Sequence, residues 1–226
     1  MTTAARERTL MNFTFHGVGP QPRTMEAGED HVWVSAARFG EILDTLARHD
    51  DVAIMFDDGN ASDVQEALPA LLERGLHATF FVVAGRLGTP DFLDEDDVRL
   101  LADRGMTIGT HGMHHRSWRN LDDHDLHEEL GAARRRLEDV VGRPVTHAAC
   151  PFGAYDRRVL GALRSHGYDR AFTSDGGAAR PDRWLQPRTS LSKRTTAAEV
   201  ERMLGADIPT LTALRFQAKS LAKRWR

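Results

Sequence analysis

Three scarcities in the sequence limit the kind of protein this chain can be. The 226 residues include a single cysteine, Cys150, so the chain has neither an internal disulfide nor a cysteine-rich zinc site. No run of 18 or more apolar residues occurs, so no membrane-spanning helix is expected. The net charge is only −3 at pH 7, so nothing draws the whole chain toward nucleic acid. What remains is a globular protein, for which 41% hydrophobic residues supply a core.

The N-terminal region is unlike a secretory signal peptide. Arg6, Glu7 and Arg8 lie in the first eleven residues, and no apolar run follows them. Together with the single cysteine, this pattern predicts a cytoplasmic protein. The chain is long enough for one sizeable core, and no repeat or linker divides it, so we expect a single domain over residues 1–226. The sequence does not determine the oligomeric state.

Short apolar runs alternate with longer amphipathic segments through most of the chain. Strands are predicted at Asn12–His16, Val52–Phe56, Ala78–Val83, Thr107–Gly109, Val145–Ala149 and Arg170–Thr173. Helices are predicted at Ala36–Arg48, Asp63–Arg74, Asp96–Arg104, Asp122–Val141, Arg157–His166, Thr196–Leu204 and Thr210–Trp225. This alternation predicts an α/β fold with a parallel sheet, open or closed into a barrel. Pro20–Asp30, the longest irregular segment, is predicted to be a surface loop.

Two adjacent acids, Asp57 and Asp58, follow the apolar run Val52–Phe56. Paired carboxylates beside a buried strand are costly unless a cation or hydrogen bonds compensate for their charge. Adjacent residues on a strand point in opposite directions. One acid could therefore hold a metal ion while the other faces a different part of the same site. The alternative is that both acids only cap the turn that follows.

A second predicted strand end carries histidines four residues apart, His111 and His115. Two imidazoles and one carboxylate, with a position left open, form a recurrent zinc site in enzymes. The spacing alone is a weak signal, because eleven histidines make chance pairs common. In combination with the adjacent acids it becomes specific. His114 is an alternative partner for His111, although the spacing favours His115.

Three motifs in this chain resemble those of the polysaccharide deacetylase family (NodB homology, carbohydrate esterase family 4). The first is Phe56-Asp-Asp-Gly59, followed by the apolar run Ala78–Val82. The second is Ile108–His115, and the third ends in Pro151-Phe-Gly153. The resemblance covers roughly residues 50–190. It implies a distorted (β/α) barrel of about seven strands with the site at the carboxyl ends of the strands.

The resemblance also implies roles for individual residues. The metal ligands of the family fall on Asp58, His111 and His115, and its general base falls on Asp57. One divalent metal ion is implied, with Zn²⁺ the expected ion. The family's oxyanion contact is a backbone N–H that falls near Phe152, and Gly153 is expected beside it in the substrate site.

Two departures from the family pattern require substitutes elsewhere in the chain. The third motif commonly begins with an arginine that orients the base, and Ala149 occupies that position here. Arg188 is predicted to supply the guanidinium from a later strand. The family's general-acid histidine lies near the C-terminus, but no histidine follows His166.

The missing acid has a candidate in His16, which ends the predicted strand Asn12–His16. A circular permutation would move the last strand of the barrel to the front and keep it beside the first. This arrangement resembles the branch of the family that acts on poly-N-acetylglucosamine. His16 is therefore predicted to be the general acid, with Asp175 as its orienting partner. The alternative is a histidine that caps a strand or bonds a loop carbonyl.

Two further features have competing interpretations. Trp118 is predicted to line the substrate cleft, where sugar rings often stack on aromatic side chains, and core packing is the alternative. The predicted helix Thr210–Trp225 is basic and amphipathic. Docking of its apolar stripe onto the barrel is favoured over contact with a membrane surface.

These residues predict a metal-dependent hydrolase that removes N-acetyl groups from an N-acetylated sugar or polysaccharide. The expected partner is therefore an N-acetylated carbohydrate. Two alternatives remain open at this point. One keeps the metal site but acts on a non-sugar amide or a cyclic imide. The other is a catalytically silent carbohydrate-binding domain, which the intact acids and histidines argue against.

Overall fold

Parallel strands joined by helices form the frame of the molecule, for which the computed structural model describes residues 9–25, 28–205 and 223. The strands are β1 (Met11–Phe15), β2 (Gly17–Val18), β3 (Trp33–Val34), β4 (Val52–Asp58), β5 (Ala78–Val82), β6 (Thr107–Thr110), β7 (His147–Ala149), β8 (Arg170–Thr173), β9 (Leu185–Pro187) and β10 (Thr189–Ser190). The α-helices are α1 (Ala36–Leu46), α2 (Leu68–Glu73), α3 (Glu95–Asp103), α4 (Asp123–His127), α5 (Ala133–Val141), α6 (Arg157–Ser165) and α7 (Ala197–Gly205). Two π-helical segments, Asp63–Ala67 and Glu128–Ala132, run directly into α2 and α5. Short 3₁₀ turns lie at Glu29–His31, Ala84–Arg86 and Pro151–Gly153.

Eight of these strands form one all-parallel sheet in the order β10-β1-β4-β5-β6-β7-β8-β9. Only Arg188 separates β9 from β10 in the chain, and the two pair with β8 and β1 respectively. They act as a single interrupted strand that closes the sheet, which leaves seven strand positions around the barrel. The predicted (β/α) barrel of about seven strands is confirmed.

The N-terminal strand occupies the position that the predicted permutation requires. β1 lies between β10 and β4, and its residues Met11–Phe15 pair in register with Val52–Phe56. Asn12 reinforces the other edge, where its side-chain amide donates to the carbonyl oxygen of Pro187 at 2.9 Å. The residue after β1 therefore lies beside the acids that end β4.

Alternation along the strands separates an outer core from the barrel interior. Four phenylalanines pack between the sheet and α1, with the rings of Phe56 and Phe80 stacked at 4.7 Å and those of Phe15 and Phe39 edge-on at 4.9 Å. Met55 belongs to a smaller cluster on the opposite face. Since side chains alternate at each residue, the position two after Met55 also faces inward. That position is Asp57, the first of the two acids that end β4.

Several predicted boundaries differ from the observed ones. β4 runs two residues beyond the prediction and includes both acids, while β7 begins two residues later than predicted. The predicted helix Asp122–Val141 is divided by a π-helical segment into α4 and α5. The strands β2, β3, β9 and β10 were not predicted, because two or three residues carry no detectable periodicity.

The predicted helix Thr210–Trp225 lies outside the described residues, apart from Lys223. Its docking onto the barrel, or onto a membrane surface, therefore stays a prediction. Lys223 Nζ donates to the carbonyl oxygen of Gly153 and to Asp175 Oδ1, each at 2.7 Å. Within the described ranges, no helix combines the length and the apolar character needed to cross a bilayer.

Candidate active site

Asp57 is the inward-facing acid at the end of β4, and only 3% of it is exposed. Arg188 donates to both of its oxygens, with Nη1 2.6 Å from Oδ1 and Nη2 2.7 Å from Oδ2. Burial raises the pKa of the Asp57 carboxyl, but the charges of Arg188 and His111 and the Arg188 hydrogen bonds outweigh burial and lower it. Asp57 is therefore held ionised and in one orientation. Each oxygen still has a lone pair for another hydrogen bond.

Arg188 lies between β9 and β10 and is almost completely buried. Its Nε donates to the carbonyl oxygen of Thr173 at 3.3 Å, and its guanidinium carbon lies 5.1 Å from the centre of the Phe81 ring. The structure thus brings a guanidinium to Asp57 from the later strand that the sequence suggested. Ala149, the departure in the third motif, lies buried at the end of β7.

Replacing Arg188 with methionine is expected to destabilise the fold by about 3–5 kcal/mol, because it leaves the Asp57 carboxylate buried without its partner. The same substitution in an Asp57→Asn background should cost less, since no buried charge then lacks a partner. Urea denaturation of the four proteins of this double-mutant cycle measures both costs. Equal losses of stability in the two backgrounds would show that the Arg188–Asp57 ion pair does not account for the effect of the Arg188 substitution.

Asp58, His111 and His115 direct three ligand atoms toward one point. All three atoms lie within 4.8 Å of one another. Asp58 Oδ1 is 3.1 Å from His115 Nε2 and 3.6 Å from His111 Nε2. Asp58 and His115 have φ angles of 79° and 50°, in the left-handed region that residues other than glycine seldom adopt. The backbone thus adopts an unfavourable conformation at two of the three positions, a feature often found at functional sites.

The hydrogen bonds of this triad leave its atoms ready for a cation. His111 Nδ1 lies 2.9 Å from the carbonyl oxygen of Ala149, which assigns the ring proton to Nδ1 and the lone pair to Nε2. Burial lowers the pKa of His111 to about 4, so the ring is neutral near pH 7. Asp58 Oδ1 is buried and has no properly oriented hydrogen-bond donor among the described residues. Two imidazoles and a carboxylate arranged in this way fit a divalent metal ion.

His114, the alternative ligand, lies away from the triad. Its Nε2 is 3.1 Å from Glu128 Oε1, and half of its side chain is exposed. The turn that follows His111 therefore brings His115, and not His114, to Asp58.

His16 follows β1 and lines the same cavity as Asp57 and Asp58. The register that pairs Phe15 with Phe56 places His16, the residue after β1, beside Asp57. His16 Nδ1 is buried and accepts or donates no hydrogen bond within the part of the chain that the structure describes. The alternative role of His16, in which its ring bonds a loop carbonyl, is therefore not seen at Nδ1.

The third motif forms a tight turn at the mouth of this cavity. Phe152 and Gly153 both have left-handed backbones, with φ angles of 58° and 59°. A Cβ at Gly153 would clash with Ser174 Oγ, and the residue that carried it would have to adopt a left-handed backbone that glycine adopts most readily. The turn presents the Phe152 ring, which is 67% exposed and lies 4.7 Å from the His115 ring.

The structure corrects the prediction for Trp118. This side chain is fully buried, in a cluster with residues of α4, α6 and β8, so it offers no face to a sugar. Its Nε1 donates to Glu129 Oε2 at 3.3 Å. The apolar surface of an indole next to the second motif is thus used in core packing.

The structure also corrects the predicted pairing of Asp175 with His16. Asp175 Oδ2 accepts hydrogen bonds from Tyr155 at 2.6 Å and Thr173 at 3.0 Å, and Oδ1 accepts one from Lys223. None of the contacts recorded among the described residues joins it to His16. The reason is topological: Asp175 follows β8, and the β9–β10 strand lies between β8 and β1.

The cavity has a volume of about 330 Å³, and the sequence did not indicate all of its walls. Further lining residues are Gly28, Glu29, Val32, Arg86, Ser174 and Ser190. Three of them come from the segment around Pro20–Asp30, which was interpreted only as a surface loop. Pairing of β2 with β3 draws the ends of this segment together. No local pattern signalled its position, because the contact depends on residues far apart in the sequence.

A family model described as polysaccharide deacetylase matches residues 44–171, which is more than half of the chain. The chain belongs to the polysaccharide deacetylase family. The matched range contains the acids of β4, the histidine pair and the Pro-Phe-Gly turn. It does not contain His16 or Arg188, whose placement comes from the tertiary structure.

A curated relative of this polysaccharide deacetylase is "Putative polysaccharide deacetylase YxkH" from Bacillus subtilis (strain 168). The two are 28% identical over 134 residues, which cover 59% of this chain and 48% of the relative. The chain thus spans about half the length of this relative.

Solved structures share the fold over most of the chain. The Streptococcus pyogenes deacetylase PplD in complex with acetate superposes with a TM-score of 0.79 and 15% identity, covering 88% of this chain and 99% of that one. IcaB from Ammonifex degensii gives 0.76 and 20% identity, with 88% and 98% covered. A Bacillus cereus polysaccharide deacetylase, BC0361, gives 0.77 and 19% identity, with 88% and 69% covered. Identities this low establish the fold alone.

Proposed function

We propose that this polysaccharide deacetylase is a metal-dependent hydrolase that releases acetate from an N-acetylated sugar or polysaccharide, with Zn²⁺ as its ion. The observation that carries the proposal is the convergence of Asp58, His111 and His115 in one cleft that Asp57 and His16 also line. The donor set, two imidazoles and a carboxylate with room for further ligands, is typical of catalytic zinc.

Asp57 is proposed to be the general base. A bound divalent ion would polarise the acetyl carbonyl and lower the pKa of an attacking water molecule toward about 7. Asp57 takes a proton from that water through the lone pairs that Arg188 leaves available. Arg188 contributes by keeping the carboxylate ionised and aimed into the cleft.

His16 is proposed to be the general acid. The amine that leaves a sugar amide is a poor leaving group until it gains a proton, so an acid must lie in the cleft with the base. His16 lies beside Asp57, directly after the neighbouring strand β1, and no described residue forms a hydrogen bond with its Nδ1. The backbone N–H of Phe152 is proposed to hold the oxyanion of the tetrahedral intermediate.

The size and rim of the cleft favour a sugar unit with its acetamido group. A volume of about 330 Å³ is near the lower end for ligand pockets, which are about 300–1,000 Å³. The exposed ring of Phe152 offers an apolar face at the rim on which a sugar could stack. We propose that Phe152 takes the stacking role that the sequence suggested for Trp118.

Acetate release from N-acetylglucosamine oligomers tests the proposal directly. Chelation and dialysis should lower the rate by about 10³-fold, because a metal ion supplies several kcal/mol of charge stabilisation. One equivalent of Zn²⁺ should restore it. Free acetate and new free amines should appear in equal amounts.

Three substrate groups separate the alternatives: N-acetylglucosamine oligomers, free or nucleotide-linked N-acetyl sugars, and simple amides or cyclic imides. Hydrolysis confined to the last group would replace the sugar substrate with a non-sugar one. Binding of oligomers by the metal-loaded protein without any acetate release would identify a silent binding domain.

A further inference from the structure

A buried glutamate, Glu129, lies directly behind the second motif. It belongs to the π-helical segment Glu128–Ala132 and has no exposed surface. Four groups donate to its carboxylate. Oε2 accepts from the backbone N–H of Met113 at 2.8 Å and of His114 at 3.3 Å, and from Trp118 Nε1 at 3.3 Å. Oε1 accepts from Arg116 Nε at 2.7 Å.

All four donors belong to the turn that carries the two histidines of the triad. This turn needs support, because it has left-handed backbones at Gly112 (φ 86°) and at His115 (φ 50°). It also lies very close to the carboxylate, since a Cβ added at Gly112 would clash with Glu129 Oε2. The turn therefore packs tightly against Glu129 and is hydrogen-bonded to it.

The local helix geometry explains why Glu129, and not its neighbour, reaches the turn. The π-helical segment changes the helical register between α4 and α5, as such insertions often do at functional sites. Glu128 and Glu129 are adjacent on the helix and therefore point in different directions, so that Glu128 is partly exposed and its Oε1 lies 3.1 Å from His114 Nε2. Glu129 points inward, and Arg116 compensates its charge from the partly exposed side.

We propose that Glu129 is a positioning residue for the metal site: it fixes the turn so that His115 Nε2 meets Asp58 Oδ1 at 3.1 Å. This inference rests on the proposed metal-dependent function. Outer residues that orient metal ligands commonly alter metal affinity by about 10–100-fold when they are replaced. Glu129 acts one step further out than such residues usually do, through the backbone of the turn.

Glu129→Gln tests the inference. The amide keeps the shape but turns an NH₂ group toward N–H donors, so the turn loses part of its anchor. We expect the dissociation constant for Zn²⁺, measured by chelator competition, to rise by about 10–100-fold. The visible spectrum of bound Co²⁺ should also change, because it reports ligand geometry. The matched control is Glu128→Gln, which should leave both readouts unchanged.

Thermal unfolding of the metal-free proteins separates positioning from plain stability. A Glu129→Gln protein that melts lower but binds Zn²⁺ and Co²⁺ like the wild type would overturn the inference. If that variant does not fold, Trp118→Phe provides the test instead, because it removes the indole N–H that donates to Glu129 and keeps an aromatic ring. It should weaken Zn²⁺ binding by about 3–10-fold, and unchanged binding would overturn the inference. A wild-type chain that binds no divalent ion would instead overturn the proposed function, and this inference with it.

Discussion

Asp57→Asn is expected to lower kcat for N-acetylglucosamine oligomers to about 10⁻⁴ of the wild-type value, at the upper end of what a general base contributes. Asparagine keeps the shape of the side chain and can still bond Arg188, but it cannot take a proton from water. Metal binding should persist, because the three converging ligand atoms belong to Asp58, His111 and His115 and not to Asp57. Its Oδ2 lies 3.8 Å from His111 Nε2.

The measurement combines initial rates of acetate release with metal content by mass spectrometry. Asp51→Asn is the matched control, since Asp51 is an exposed acid just before the other end of β4. It should behave like the wild type. An Asp57→Asn enzyme that retains its metal and most of its activity would remove Asp57 from the role of base. One that loses the metal as well would move Asp57 into the metal site.

His16→Ala is the second large effect, with an expected fall in kcat of about 10²–10⁴-fold on N-acetylated sugars. Alanine removes the only proton donor proposed for the departing amine and leaves the triad intact. The effect should depend on the leaving group. An aryl acetate releases a phenolate that needs little protonation, so its hydrolysis by His16→Ala should fall far less. Asp57→Asn should slow both substrates, because both need an activated water.

The ratio of the two rates is therefore the diagnostic quantity. His124→Ala is a suitable control, as the side chain of His124 is 89% exposed on α4. Equal losses on the amide and the ester would show that His16 acts by some means other than protonating the amine. A near-normal rate on the amide would assign the acid to another residue.

Much of the site could be predicted because its residues sit in short contiguous motifs. Asp57 and Asp58 end an apolar strand, and His111 and His115 follow another, so local patterns placed all four at strand ends. Parallel strands in one barrel bring such ends together. The same logic located β8 with its observed bounds, Arg170–Thr173.

Predictions failed where a role depended on a partner distant in the chain. Trp118 follows the histidine motif closely enough to suggest the cleft, yet a carboxylate eleven residues later draws its indole into the core. Asp175 lies near the start of the loop after β8, close to the site, yet its carboxylate accepts hydrogen bonds from Tyr155 and Lys223. Hydrophobicity and spacing describe a residue's own segment, and neither reports which other segment will cover it.

The sequence by itself determined the chemical groups of the site, the alternation of strands and helices, and the family to which the chain belongs. The tertiary structure decided between arrangements that the sequence left open: His115 rather than His114 faces Asp58, Arg188 bonds both oxygens of Asp57, and the first strand pairs with the last. The physical reason is that a motif records which groups are present within a few residues. Orientation, burial and charge pairing arise only when strands more than a hundred residues apart become neighbours in a closed barrel.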